Sequence, residues 1–233
     1  MKSLQTNILQ VKQRIVDAAA AFARNPGEIT LLAVSKGQSP DKIREASASG
    51  LTRFGESYIQ EALAKIDSLA DLDIEWHFIG PIQSNKTKPI AEHFAWAHSI
   101  DREKIAKRLN DQRPEHLPPL NVCIQVNPTG EVSKAGISLD QVPSMATFID
   151  SQPKLKLKGL MSIPPKSDQF DQQQNIFNLV QLAQINLSDI GFDVDTLSMG
   201  MSNDMEAAVS QGATILRIGT GIFGPREIIT SSH

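Results

Sequence analysis

The stretch LLAVSKG, residues 31–37, runs four apolar or small residues into a serine, a lysine and a glycine. Its first part has the unbroken apolar character of a strand buried on both faces. Similar runs recur along the chain: ITLLAVS (29–35), TRFGE (52–56), EWHFIG (75–80), AWAHSI (95–100), LNVCIQV (120–126), LKGLMSI (157–163), VDTLSM (194–199) and TILRIG (214–219). Helical segments lie between them, such as SPDKIREASASG (39–50) and SYIQEALAKIDSLADL (57–72). In the second, Ile59, Leu63 and Ile66 fall at i, i+4 and i+7 and are expected to form the core face. In the first, Ser39 before Pro40 reads as a helix start and Gly50 as a stop.

Eight strand-like runs alternating with helices predict parallel βα units. A (β/α)8 TIM barrel takes about 250 residues, and 233 suit a compact one. The fold class is therefore read as α/β: one TIM barrel domain over residues 1–233, with an extra N-terminal helix near residues 3–24. A doubly wound open sheet is the alternative, and eight units without a leftover segment favour the barrel.

Composition narrows the function classes. A net charge of -3 and a pI near 6.0 speak against a general nucleic-acid footprint. No run of about 18 apolar residues predicts a membrane span. The N-terminal MKSLQTNILQ lacks the apolar stretch of a secretory signal. The single cysteine, Cys123, excludes an intramolecular disulfide and a cysteine-based zinc cluster. A cytoplasmic protein is expected.

Active sites of such barrels lie at the C-terminal ends of the strands. Lys36 stands at the end of the first strand, so its ammonium is placed at the mouth; the other reading is a surface lysine at a loop start. Held in a mouth, a lysine can lose its proton and form a Schiff base with a carbonyl compound. Two later stretches read as anion cradles. In SMGMSNDMEAAV (198–209), Gly200 permits a tight turn and Ser202 is expected to cap a helix starting near Asn203; an ordinary N-cap is the plainer reading. In RIGTGIFGPRE (217–227), Gly219 to Gly224 match G-x-G-x-x-G, yet only nine residues follow Gly224, too few for a dinucleotide-binding unit. What remains is glycines that let backbone amides approach a phosphate, in the loops after strands seven and eight where barrels often bind one. Arg217 shares a strand face with Ile215 and Gly219. Buried there, it needs an acceptor: a carboxylate on another strand, or a heteroatom of a ligand.

With these pieces in place, the chain resembles the pyridoxal phosphate homeostasis proteins, single-domain relatives of the barrel domain of alanine racemase. The resemblance runs through LLAVSK (31–36), RFGESYIQEA (53–62), EWHFIGPIQSNK (75–86), KGLMSI (158–163), LSMGMSNDMEAAV (197–209) and RIGTGIFGPRE (217–227). It implies that Lys36 carries pyridoxal 5'-phosphate as a Schiff base. Ser202, Gly219 and Thr220 would hold the phosphate, with Gly200 and Met201 shaping the turn beside it. Arg217 would meet the pyridine nitrogen, and Met161 would line the ring pocket. His77, Gly80, Gln83, Asn85 and Lys86 match the family at or after strand three, with His77 placed among the cofactor contacts. One position departs: Ser57 stands where the family usually has asparagine near the ring, and a serine reaches less far.

The same resemblance implies a cofactor carrier without catalytic residues, buffering the reactive aldehyde or delivering it to apo-enzymes. An arginine at the ring nitrogen stays protonated and weakens the ring as an electron sink. Alanine racemase adds a tyrosine from a further domain, and none is expected here; the one tyrosine, Tyr58, has no catalytic role in the family. A racemase of low activity is the main alternative, and a class I aldolase-like barrel a weaker one. A monomer is expected. His77, His93 and His98 form no metal pattern and read as packing or surface positions. Cys123 reads as inert packing in its strand. Lys86, Lys88, Lys104, Lys107 and Arg108 read as a solvated basic face.

Overall fold

The computed structural model describes residues 3–225 apart from 132. Arg226 and Glu227, which close the last quoted motif, lie outside the described residues.

Eight parallel strands close into a barrel in sequence order: β1 (Thr30–Val34), β2 (Arg53–Glu56), β3 (Glu75–Phe78), β4 (Trp96–Ile100), β5 (Leu120–Val126), β6 (Leu155–Ser162), β7 (Thr196–Ser198) and β8 (Ile215–Ile218). β1 pairs β8 through Thr30–Ile215 to Ala33–Ile218, which closes the ring. The open-sheet alternative is thereby excluded. Each predicted strand is present, trimmed or extended by one or two residues at its ends.

The helices are α1 (Leu4–Ala21), α2 (Pro40–Ala48), α3 (Ile59–Ser68), α4 (Thr87–His93), α5 (Glu103–Gln112), α6 (Val142–Asp150), α7 (Phe170–Asp189), α8 (Met205–Ser210) and α9 (Thr220–Phe223). α1 is the helix expected ahead of the first strand, and it ends at Ala21, short of residue 24. The predicted stops of α2 hold as well: Ser39 accepts from the Lys42 N–H at its start, and Gly50 follows its end at φ +83°. Among the described residues no helix is long and apolar enough to cross a membrane.

Alternation along each strand divides the core in two. Ala33, Phe54, Phe78, Ala97, Val122, Leu160, Leu197, Leu216 and Ile218 pack outward against the helices. The opposite face lines the barrel interior and carries Leu32, Gly55, His77, His98, Cys123, Met161, Ser198 and Arg217. This inner layer is unusually polar for a barrel normally filled by branched aliphatics.

Two local expectations change. In α3 the buried residues are Ile59, Ala62 and Lys65, while Leu63 and Ile66 are only partly covered. Lys65 takes the inward place because Glu56 and Glu61 pair with it, so an ion pair sets the helix rotation. Ser202 does not cap a helix. α8 begins at Met205 with Asp204 before it, and the Asp204 carboxylate accepts from the Met201 N–H.

Candidate functional site

β1 delivers Lys36 just beyond its C-terminal end, half-buried, with Nζ 3.3 Å from the Ser57 hydroxyl that follows β2. The departure at Ser57 therefore leaves a polar partner within reach of this amine. Gly80, after β3, explains why Ser57 sits there. A methyl group at Gly80 would stand 2.7 Å from the Ser57 Cα and closer still to its carbonyl oxygen. Only a glycine lets the two loops meet this closely.

A buried charge cluster braces the Lys36 turn from below. Lys65 Nζ lies 2.8 Å from Glu56 Oε1, 2.5 Å from Glu61 Oε1 and 2.8 Å from the Ser35 carbonyl oxygen. Ser35 donates its hydroxyl to Glu56, and the Gly37 N–H donates to Glu61. The residues on either side of Lys36 are thus both tied to this cluster. Burial pushes the Glu56 carboxyl upward, against the pull of Lys65 and Ser35. The sequence carries a signal for this pair: Glu56 shares the helix-facing side of β2 with Phe54, and Lys65 follows Ala62 by about one helical turn on the face that packs there.

The two glycine turns face each other, and the second packs against the end of β1, two residues before Lys36. A Cβ on Gly219 would lie 3.3 Å from the Val34 carbonyl oxygen. A Cβ on Gly221 would lie 3.3 Å from Ser202 Oγ, so the turns after β7 and β8 face each other. Gly200 takes φ +94°, and a side chain there would strike Ala208 and Leu216. Ser202 is held from the other side, its carbonyl accepting from Arg14 of α1. Thr220 opens α9, and Met201 lies partly exposed at the rim.

Arg217 points into the barrel and is almost fully buried. It donates to neutral oxygens: Nη1 to the Ser198 carbonyl and, at 2.9 Å, to Ser198 Oγ, and Nη2 at 2.8 Å to the Ser162 carbonyl. The strand-borne carboxylate considered from sequence is not its hydrogen-bond partner, although the charge of Asp204 acts on it. Burial lowers Arg217 to about 10, so it remains a cation at neutral pH. Met161 is fully buried on the same inner face, one residue before Ser162.

His77 is not brought to the Lys36 end. Its Nε2 lies 2.9 Å from Glu75 Oε1 and its Nδ1 2.9 Å from His98 Nε2. It lines a cavity of about 570 Å³ at the N-terminal ends of the strands, with Arg53, Glu75, Trp96, Lys158 and Asp195. His98, read as packing, continues inward and lies 2.8 Å from Ser198 Oγ. Cys123 is buried and its thiol is pushed up to about 12 by desolvation, which leaves it unreactive.

These features meet the demands of a phosphorylated aromatic aldehyde. An amine stands at the mouth, glycine turns lie at the same end of the barrel, and in the wall lies an arginine whose hydrogen-bond partners among the described residues are neutral oxygens. Ser162 Oγ, next to that arginine, is buried and has no hydrogen-bond partner among the described residues, so it can still take an acceptor or donor there.

The chain matches the family model described as the alanine racemase N-terminal domain over residues 3–227. It is 53% identical over 228 residues to a pyridoxal phosphate homeostasis protein of Pseudomonas aeruginosa, covering 97% of each chain. The protein of that name from Escherichia coli is 47% identical, with 97% of this chain and 98% of the relative covered. Among solved structures, PipY of Synechococcus elongatus with bound PLP superposes with a TM-score of 0.80 at 34% identity, over 90% of this chain and all of that one. Alanine racemase from Corynebacterium glutamicum shares the fold, with a TM-score of 0.68 at 14% identity, over 98% of this chain and 63% of that one.

Proposed function

The chain belongs to the alanine racemase N-terminal domain family and, within it, to the pyridoxal phosphate homeostasis proteins, and from that premise we propose that it binds pyridoxal 5'-phosphate and serves in intracellular homeostasis of that cofactor. The observation that carries this reading is Lys36 Nζ at the barrel mouth beside Ser57, with the Gly219–Gly221 turn packed against the strand that bears it.

Bound pyridoxal phosphate supplies an electrophilic aldehyde that condenses reversibly with primary amines, on a ring that withdraws electrons. Lys36 offers the amine, and Ser57 Oγ accepts a hydrogen from it. Ser202, Gly219 and Thr220 offer hydroxyl and backbone groups to the phosphate, in the turns that Gly200 and Met201 shape. Arg217 would contact the ring nitrogen as a donor. A guanidinium gives no proton at neutral pH, which favours holding over carbanion chemistry. We read the protein as a non-catalytic carrier, a cytoplasmic monomer that releases the cofactor to apo-enzymes. The buried single thiol is in keeping with a reducing compartment.

The test is a titration of the purified protein with pyridoxal phosphate, followed by absorbance, for the native chain and Lys36→Ala. The reading expects a new band only with Lys36 present, and recovery of activity when the loaded protein is mixed with an apo-enzyme. Exchange of the alanine α-hydrogen in deuterated water faster than about 1 per second, the low end of ordinary turnover, would instead favour a racemase.

A further inference from the structure

The barrel interior holds a continuous polar chain that leads to Arg217 and whose other members the cofactor reading does not use. It begins at Glu75, partly exposed at the N-terminal mouth, and passes through His77, His98 and Ser198 to Arg217. Four links of 2.9, 2.9, 2.8 and 2.9 Å join residues from β3, β4, β7 and β8. Both histidines are buried, and burial holds each imidazole below its ordinary value, His98 well below. The nearby Arg217 cation, and the cost of charging His98 beside His77, add to this at His98.

A neutral imidazole has one donor and one acceptor nitrogen, so each link constrains the next. Glu75 is held as a carboxylate, its pKa lowered by His77 and by Arg53, which donates to the same oxygen at 3.0 Å. A carboxylate only accepts. His77 must therefore carry its proton on Nε2, and its Nδ1 must accept. That acceptor takes the Nε2 proton of His98, whose Nδ1 in turn accepts from the Ser198 hydroxyl. The Ser198 oxygen is then left with lone pairs toward Arg217 Nη1. Every donor and acceptor in the series is satisfied in this one direction. Trp96 stacks on His77, with ring centroids 5.3 Å apart and planes 8° from parallel.

We propose that Glu75, His77, His98 and Ser198 form a directional hydrogen-bond chain, set by the Glu75 carboxylate, that presents the Ser198 oxygen to Arg217. His77 and His98 are then positioning residues for Arg217 and make no contact with the cofactor themselves. The hydrogen-bond direction is a property of the protein alone. Its consequence for the ring-facing end of Arg217 rests on the function proposed above.

The experiment uses the full chain labelled with ¹⁵N-histidine, first without cofactor. Long-range ¹H–¹⁵N spectra at neutral pH report which nitrogen of each ring carries the proton. The native protein is expected to show His77 and His98 both as Nε2–H. In Glu75→Lys the terminal acceptor becomes a donor, and both rings are expected to switch to Nδ1–H. A native His98 carrying its proton on Nδ1 overturns the proposal, whether or not the variant folds. So does a folded Glu75→Lys variant whose His98 signal is unchanged, since packing alone would not couple it to Glu75. With pyridoxal phosphate added, the variant is expected to shift the absorbance maximum of the bound cofactor, while Ser198→Ala uncouples that shift from Glu75. Failure of the native protein to bind at Lys36 would refute the function proposed above and leave the ring assignments to decide the chain.

Discussion

Gly80 and Ser57 touch backbone to backbone: a side chain on Gly80 would stand 2.7 Å from the Ser57 Cα, and Ser57 Oγ lies 3.3 Å from Lys36 Nζ. The loop after β3 thus sets the position of the residue after β2, which in turn touches the amine after β1. Gly80→Ala is expected to displace Ser57 and to destabilise the fold by about 1–3 kcal/mol, the usual cost of overpacking. Urea unfolding measures the loss, and a cofactor titration should show weaker binding. Unchanged affinity would separate Ser57 from the site.

Lys65→Met removes the cation that Glu56 needs. Glu56 is fully buried, and one of its oxygens already has no partner among the described residues. Breaking one side of a buried pair costs about 3–5 kcal/mol, and the unfolding midpoint should fall accordingly. The double variant Lys65→Met/Glu56→Gln should recover part of that loss, because the stranded charge is gone. Since Ser35 and Gly37 are tied to this cluster, the single variant should also loosen the Lys36 turn, seen as faster amide exchange at Gly37.

The barrel was legible in the sequence because each strand is a short apolar run and each connection is long enough for a helix. Lys36 and the two glycine turns were legible for a similar reason: strand polarity places both at one mouth. The interior was not. Whether Arg217 faced the helices or the barrel depends on a two-fold alternation that a short strand such as ILRI does not resolve. His98 looked like packing because its partners, His77 and Ser198, lie 21 and 100 residues away in the chain. The inward turn of Lys65 was hidden by Leu63 and Ile66, whose apolar spacing pointed to a slightly different face. Ser202 read as a cap because its type and place fit one, yet Asp204 takes the neighbouring amide.

Stability should fall as the pH drops below about 6.5, the ordinary histidine value. Burial lowers the folded pKa of His77 and His98. Below 6.5 the unfolded chain gains protons that the folded chain does not, so unfolding becomes easier. Each such histidine contributes a slope of up to about 1.4 kcal/mol per pH unit. Glu56, raised by burial, acts in the opposite sense, adding stability as the pH falls through its raised folded value. Urea midpoints between pH 7 and 5 should therefore decline less steeply in His98→Gln than in the native protein; equal slopes would show that His98 is not buried neutral.

Gly200→Ala should be poorly tolerated. The position takes φ +94°, and the added methyl group would meet the Ala208 methyl at 2.6 Å and Leu216 Cδ2 at 2.7 Å. Backbone strain of about 1–3 kcal/mol adds to the clash. Thermal unfolding is expected several degrees lower, and a neutral result would mean that the turn after β7 adopts another conformation.

The central claim is that Lys36 is the amine that holds the cofactor. The most direct measurement is borohydride reduction of the protein loaded with pyridoxal phosphate, followed by peptide mass mapping. The account predicts one major adduct, on Lys36, and its disappearance in Lys36→Ala; a dominant adduct on another lysine of the native protein, or none at all, would contradict it.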